Sequence, residues 1–353
     1  MKQKRDTLRE EIDTKRGRKM QNQKPVKLIA YGCRDDEMPT LKAFQNREDL
    51  ELKIVQAHLS TDNVYLAEGF DGVSIEGLSQ SDAAIFKALA GYGIHYFSTR
   101  TAGYNRLDLA AAKKYQIHCA NVHYSPYSVA EYTVMLMLTC LRKFIHIIAR
   151  SAVMDYSLAG MQGRELHNMT VGIVGMGHIG KTVAKCLSGF GCRLISYTPH
   201  PTAETDALAK VVSKETLLKE ADIITLHTPL TQDNYHMIDK DVIAQMKDGV
   251  VIINTARGGL INTWDLIDAV ESGKVSAVGI DSFEHEENVI QIDHESSLIH
   301  NRSLLALKAY PNVVVSPHAA FYTDQSSKDM VTVSLNGLMA WLRGENNPNE
   351  IAY

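Results

Sequence analysis

Arg257, Glu286 and His318 each stand just after an apolar run of strand type, in "INTARGG", "GIDSFEHEE" and "VVVSPHAAFY". Ligands of open α/β sheets collect at the carboxyl ends of strands, so three polar residues at three such ends are candidates for one site. Together these residue types suit a 2-oxo acid. The planar fork of Arg257 would hold the carboxylate and polarise the carbonyl. His318 would give a proton to the carbonyl oxygen as hydride reaches the carbon, and take it back in the reverse direction. Glu286 would bond the other imidazole nitrogen, favouring the charged ring. Singly, each residue has a plainer reading. Arg257 beside two glycines can cap a turn, a histidine after a strand is often structural, and Glu284, Glu286 and Glu287 can form one solvated acidic loop. Their company behind a dinucleotide fingerprint favours the chemistry.

That fingerprint is "VGIVGMGHIG", which places Gly175, Gly177 and Gly180 in the G-x-G-x-x-G spacing between an apolar strand and a helix. Gly175 permits the tight turn, Gly177 leaves room for a pyrophosphate, and Gly180 lets helix and strand approach. The helix opening at His178 and Ile179 turns its free N–H groups and positive end to the phosphates. At the end of the next strand, where an acid would hold the adenosine ribose, stand Tyr197 and Thr198 in "SYTPHPT". Thr198 can make one hydrogen bond and repels no 2′-phosphate. His200 and Thr202 can face a phosphate, but no arginine is present for a strong clamp. The expected cofactor is NAD, with NADP not excluded.

These motifs need strands and helices to hold them, and the chain supplies both in alternation. "VKLIAYG" (26–32), "LKIVQAH" (52–58), "DGVSIEG" (71–77), "HYFSTRTAG" (95–103) and "IHCANV" (117–122) read as strands with helical segments between. A long helix follows over about 126–150. A second series reads as strands at 170–177, 193–199, 222–230, 249–258, 275–283 and 312–318. Such alternation predicts two doubly wound parallel-sheet α/β domains. The segment 324–344 predicts a helix that returns to the first of them. Residues 1–25, dense in charge, read as a tail outside the fold, with no apolar stretch of signal-peptide type.

The 353 residues are 45% apolar and 22% charged, with a formal net charge of −4. That balance gives no reason to expect nucleic acid or an anionic membrane as partner. "VMLMLTCL" (134–141) is too short to span a bilayer and reads as a buried helix. Five cysteines without a CxxC pair predict reduced thiols in a cytoplasmic protein, and no metal-ligand set.

The chain resembles the D-2-hydroxyacid dehydrogenase family over about residues 26–344. The matching stretches are "STRTAGYNRLDLAAAK", "NVHYSPYSVAEYTVMLML", "GIVGMGHIG", "LHTPLT", "MKDGVVIINTARGGLINTWDLIDAVESGK", "GIDSFEHE" and "SPHAAFYT". The resemblance implies a Rossmann dinucleotide-binding domain over 124–320 and a flavodoxin-like substrate domain over 26–123 and 321–353, closing on a cleft. It implies Arg257 as substrate anchor, Glu286 as carboxylate partner and His318 as acid/base. His227, Thr228, Pro229, Asn254, Thr255 and Ala256 would line the cofactor, with Asp281 near the nicotinamide carboxamide. Tyr124 and the backbone of Glu76, Gly77 and Leu78 would hold the substrate carboxylate. Arg100 would face the cleft, and Phe321 would fill a pocket for a small substrate. Two positions depart from the pattern: Thr198 replaces an Asp, and Glu76 replaces an aromatic residue. A glutamate there must either point to solvent, the favoured expectation, or make the pocket more polar.

The function so implied is D-lactate dehydrogenase-like: reversible reduction of pyruvate or a similar 2-oxo acid by a homodimer that pairs through the 126–150 helix. Two other readings remain: a dehydrogenase for branched or aromatic 2-oxo acids, and a dinucleotide-sensing co-repressor of the same fold. A phosphoglycerate dehydrogenase fits less well, since no regulatory domain follows the last helix.

Overall fold

The strands are apolar on both faces. In β6 (Thr170–Val174), β9 (Ile223–Leu226) and β10 (Val250–Asn254) every residue is buried, as a parallel sheet covered on both sides requires. The computed structural model describes residues 24–352. All but Lys24 and Pro25 of the expected charged tail lies outside the described residues. The chain divides into two units, one running to Tyr124 and resuming at Asp324, the other Ser125–Thr323.

The first unit holds β1 (Val26–Tyr31), β2 (Leu50–Ile54), β3 (Gly72–Ile75), β4 (Tyr96–Thr99) and β5 (His118–Ala120) in the order β2-β1-β3-β4-β5, all parallel. Successive β1 side chains go to opposite faces. Ile29 and Tyr31 join a cluster with Val73, Phe86 and Phe97, whereas Leu28 and Ala30 join Val331, Leu335, Leu338 and Trp341. The second set belongs to the helix Asp324–Leu342, which returns to cover that face as its sequence predicted.

The second unit adds β7 (Arg193–Tyr197), β8 (Lys210–Val211), β11 (Val275–Ile280) and β12 (Val313–Val315) to β6, β9 and β10. The order is β12-β11-β10-β9-β6-β7-β8. The order reverses between β6 and β9, the crevice where doubly wound sheets take a dinucleotide. β8, two residues long, carries no sequence pattern of its own.

The 126–150 helix is in fact two helices, Tyr127–Leu141 and Phe144–Ala152, bent by 64°. Lys143 at the break has a left-handed φ of +50°, which ends the first helix. The first buries Val134, Leu136, Met137, Cys140 and Leu141 against Ile173, Val251 and Ile253. The second has no buried residue and leaves Phe144, Ile145 and Ile148 about half exposed. Among the described residues no single helix is long and apolar enough to cross a membrane. Cys33, Cys119 and Cys140 are buried and Cys186 and Cys192 half-buried, all free thiols.

Candidate active site

β6 ends in a loop that only glycine can build. Gly175 has φ +95°, and a Cβ there would lie 2.5 Å from the His227 carbonyl oxygen. A Cβ at Gly180 would lie 2.0 Å from the Gly175 carbonyl oxygen, so the helix His178–Leu187 packs backbone to backbone on the loop. At Gly177, its N-cap, a Cβ would meet nothing within 4 Å. Open space at a helix N-terminus is what a pyrophosphate requires, so the loop fits a dinucleotide. His178 and Ile179 open the helix, and Tyr197 and Thr198 follow at the end of β7, both half-buried. His227, Thr228 and Pro229 leave β9 on the other side of the switch point. Burial pushes the His227 imidazole down to about 3, so it is neutral at physiological pH, and its Nε2 shares a 2.9 Å bond with Thr225 Oγ1. It therefore brings no charge to the phosphate loop.

Arg257, Glu286 and His318 leave the carboxyl ends of β10, β11 and β12, on the same edge of the same sheet. Asn254 holds the first turn: its Oδ1 accepts the Ala256 N–H at 3.0 Å and its Nδ2 donates to the Arg257 carbonyl at 2.9 Å. Thr255 is buried and bonds Thr133 of the Tyr127–Leu141 helix at 2.9 Å. Arg257 is half-buried, and its guanidinium donates to the Ala256 carbonyl at 2.6 Å. Glu286 turns back on its own loop. Its Oε2 accepts the Phe283 N–H at 3.1 Å, and its Oε1 lies 2.7 Å from His318 Nδ1. His318 has a left-handed φ of +57°, strained for a side-chain-bearing residue, and is 26% exposed at its side chain. With Nδ1 facing Glu286, Nε2 is the ring nitrogen that this pairing leaves over. Ser282 Oγ lies 3.3 Å from the Ala256 carbonyl and 3.5 Å from His318 Nδ1, joining the Arg257 turn to the imidazole. The Phe321 ring stands edge-on to His318 at 6.4 Å.

What the side chains touch places Asp281 and corrects two expectations. Asp281 is 1% exposed, and its carboxylate accepts Ser316 Oγ at 2.6 Å and the Ala319 and Ala320 N–H groups at 2.9 and 2.8 Å. Those bonds hold the turn that keeps His318 in its strained conformation. Arg100 is not available to a substrate. Its side chain is fully buried within the first unit, with Nε on Glu37 at 2.9 Å, Nη1 on Ser74 Oγ at 3.1 Å, and Nη2 on the Tyr31 and Gly32 carbonyls at 2.9 and 3.1 Å. Finally, Glu76 does not point to solvent. It is 3% exposed, and its carboxylate accepts the Leu78 N–H at 2.7 Å, with His58 Nδ1 at 3.5 Å and the Arg34 guanidinium at 4.0 Å. The Leu78 amide expected to hold a substrate carboxylate is occupied by the chain's own. Gly77 packs against Thr101, where a Cβ would lie 2.8 Å from the methyl group. Tyr124, half-buried, is the last residue of the first unit's long segment.

The solvated acidic loop is likewise only partly present. Glu287 is exposed, but the Glu284 side chain is 11% exposed and the Glu286 side chain 16%. Ser282, Ser316 and Glu284 are contributors that residue type and spacing did not single out. A serine or a second glutamate beside the obvious candidate carries no signal until its partners are known.

Comparison with known proteins agrees with this geometry. Residues 134–320 match the model of the D-isomer specific 2-hydroxyacid dehydrogenase, NAD binding domain. An aromatic 2-oxoacid reductase of Clostridium sporogenes is 40% identical over 315 residues, 89% of this chain and 95% of that protein. A D-lactate dehydrogenase of Lactiplantibacillus plantarum is 37% identical over 314 residues, 88% of this chain and 95% of that one. Among solved structures, that of a D-2-hydroxyisocaproate dehydrogenase superposes with a TM-score of 0.84 at 36% identity, covering 92% of this chain and 99% of that one. A glycine loop shaped for a dinucleotide, a Glu–His pair on the same sheet edge and likeness over nearly the whole length agree, and the chain belongs to the D-isomer specific 2-hydroxyacid dehydrogenases, NAD-dependent oxidoreductases.

Proposed function

We propose that the protein interconverts pyruvate, or a 2-oxo acid of similar size, and the D-2-hydroxy acid. The observation that carries this reading is the 2.7 Å Glu286–His318 contact on the sheet edge that also bears Arg257 and the dinucleotide loop. When bound, the nicotinamide supplies or accepts the hydride. The chain's own residues do the rest. Arg257 binds the carboxylate and polarises the carbonyl. His318 delivers the proton from Nε2 in reduction and removes it in oxidation, and Glu286 steadies the imidazolium between the two. Asp281, through the 316–320 turn, keeps the imidazole aimed. Phe321 completes the substrate-binding side of this reading, and Gly175, Gly177, Gly180 and Thr198 the cofactor side.

Initial rates of NADH and NADPH oxidation with pyruvate, phenylpyruvate and 2-oxoisocaproate test the reading. Pyruvate is expected to be turned over with NADH. Thr198 offers no carboxylate to repel a 2′-phosphate, so NADPH is expected within about tenfold of NADH. NADPH slower by a thousandfold would mean that other groups of the 197–202 loop exclude it. A second reading, a preference for bulkier 2-oxo acids, is favoured by the relative named aromatic 2-oxoacid reductase and by the D-2-hydroxyisocaproate dehydrogenase structure. A higher kcat/KM with phenylpyruvate than with pyruvate would select it.

The same proposal places the protein in the cytoplasm, with neither nucleic acid nor membrane as partner, as a homodimer. The half-exposed apolar side chains Phe144, Ile145 and Ile148 motivate the dimer. Sedimentation of the native protein is expected to give twice the chain mass, and a species of chain mass alone would remove the dimer.

A further inference from the structure

Glu284 lies two residues before Glu286, and its carboxylate gathers three separate segments. Oε1 lies 2.7 Å from His236 Nε2 and 3.4 Å from the Tyr235 hydroxyl. Oε2 accepts the N–H of Thr263 at 3.0 Å and its hydroxyl at 2.6 Å. Burial pushes this carboxyl up, but the bonds from His236 and Thr263 hold it below the usual carboxylate range overall. The segments it joins are not idle. His236 donates its N–H to the Gly259 carbonyl at 2.8 Å, and Thr263 opens the helix that follows the Arg257 turn. Gly258, the residue after Arg257, is pressed onto the 283–284 backbone so closely that a Cβ there would lie 2.1 Å from the Phe283 carbonyl carbon. From the other side Asn301 Nδ2 donates to the carbonyls of Glu284 and His285 at 2.9 and 3.2 Å. His285, between the two glutamates, is held at a left-handed φ of +57° and His236 at +54°.

We infer that Glu284 is a positioning residue of the reaction: its carboxylate, clamped by His236 and Thr263, fixes the loop that aims Glu286 at His318 and sets that loop against the Arg257 turn. Glu284 touches no reacting atom in this account. It acts through Glu286 and Gly258, and the inference rests on the acid/base assignment of the preceding subsection. The clamp is polar and local. The loop it secures carries one residue in left-handed backbone, His285, and the segment that clamps it carries another, His236; neither holds that conformation unaided. Displacement of a catalytic group by about 1 Å costs on the order of a hundredfold in rate.

Glu284→Ala and Glu284→Gln in the full-length protein test this, with whichever 2-oxo acid the wild type reduces fastest. For Glu284→Ala, kcat is expected to fall about a hundredfold, while NADH binding, followed by fluorescence, stays within twofold of wild type. Glutamine keeps an acceptor for Thr263 and a polar group facing His236, and is expected to recover at least about tenfold of that loss. Thermal unfolding of each variant shows that the rate change belongs to folded protein. Thr263→Val, which removes only the 2.6 Å bond, covers the case of an alanine variant that does not fold, with an expected loss of several-fold in kcat at unchanged KM for NADH. Glu284→Ala with kcat within twofold of wild type overturns the inference. So does a loss of rate that tracks loss of NADH binding. A wild type inert toward every 2-oxo acid overturns the acid/base reading and this inference together. An active wild type with an equally active alanine variant overturns this inference alone.

Discussion

Replacing His318 is expected to lower kcat about a thousandfold while leaving NADH affinity within twofold, since acid/base groups contribute on the order of 10²–10⁴ to such rates. The nucleotide loop lies on other strands of the sheet, and no bond between it and His318 is needed to form it. The choice of variant matters. His318 sits at φ +57°, where an alanine costs about 1 kcal/mol and asparagine is tolerated. His318→Asn therefore separates lost proton transfer from lost backbone geometry, and both variants are expected to be inactive. Single-turnover reduction monitored at the nicotinamide absorbance, with a parallel fluorescence titration of NADH, gives the two quantities. An asparagine variant keeping more than a tenth of wild-type kcat would end the assignment of His318 as the proton donor. So would a loss of turnover matched by loss of NADH binding.

The second large effect concerns stability. Arg100→Leu takes from the fully buried Glu37 carboxylate its buried partner, leaving it only the Arg34 guanidinium at 3.6 Å and the Arg34 N–H at 3.0 Å, and strips donors from Ser74 and from the Tyr31 and Gly32 carbonyls. Breaking a buried ion pair on one side costs about 3–5 kcal/mol, a large part of the 5–15 kcal/mol that holds a typical domain together. The thermal midpoint is expected to fall by about 10 °C or more, or the variant to be recovered insoluble. Removing the charge on both sides, in Arg100→Leu with Glu37→Leu, is expected to restore much of the loss, because no uncompensated charge remains. Calorimetry of the wild type and the two variants measures this. A single variant with the wild-type midpoint and a raised KM for the 2-oxo acid would return Arg100 to the substrate site.

How much of this was legible beforehand depended on the range of the interaction. Alternating strands and helices, the reversal of strand order that a doubly wound sheet brings, and the phosphate loop are set by local periodicity and by glycines with a backbone task. "GMGHIG" needs nothing beyond its own strand and helix to be read. Arg257, Glu286 and His318 were legible because each follows a strand whose end the periodicity located. The helix break at Lys143 was not, because no proline or glycine stands between Pro126 and Arg150 to mark the bend.

The sequence by itself determined which residues stand at the carboxyl ends of which strands, because strand period and turn residues are local properties of the chain. Only the tertiary structure decided what those side chains do there. Arg100 and Glu76 both end strands of the first unit. One meets Glu37, 63 residues away, and the other bends back onto Leu78 beside His58 and Arg34. Asp281 and Glu284 share one loop with Glu286, yet Asp281 holds the His318 turn and Glu284 reaches His236, 48 residues earlier. A buried charge must find a partner, and which partner lies within 3 Å depends on segments that sequence spacing does not bring together.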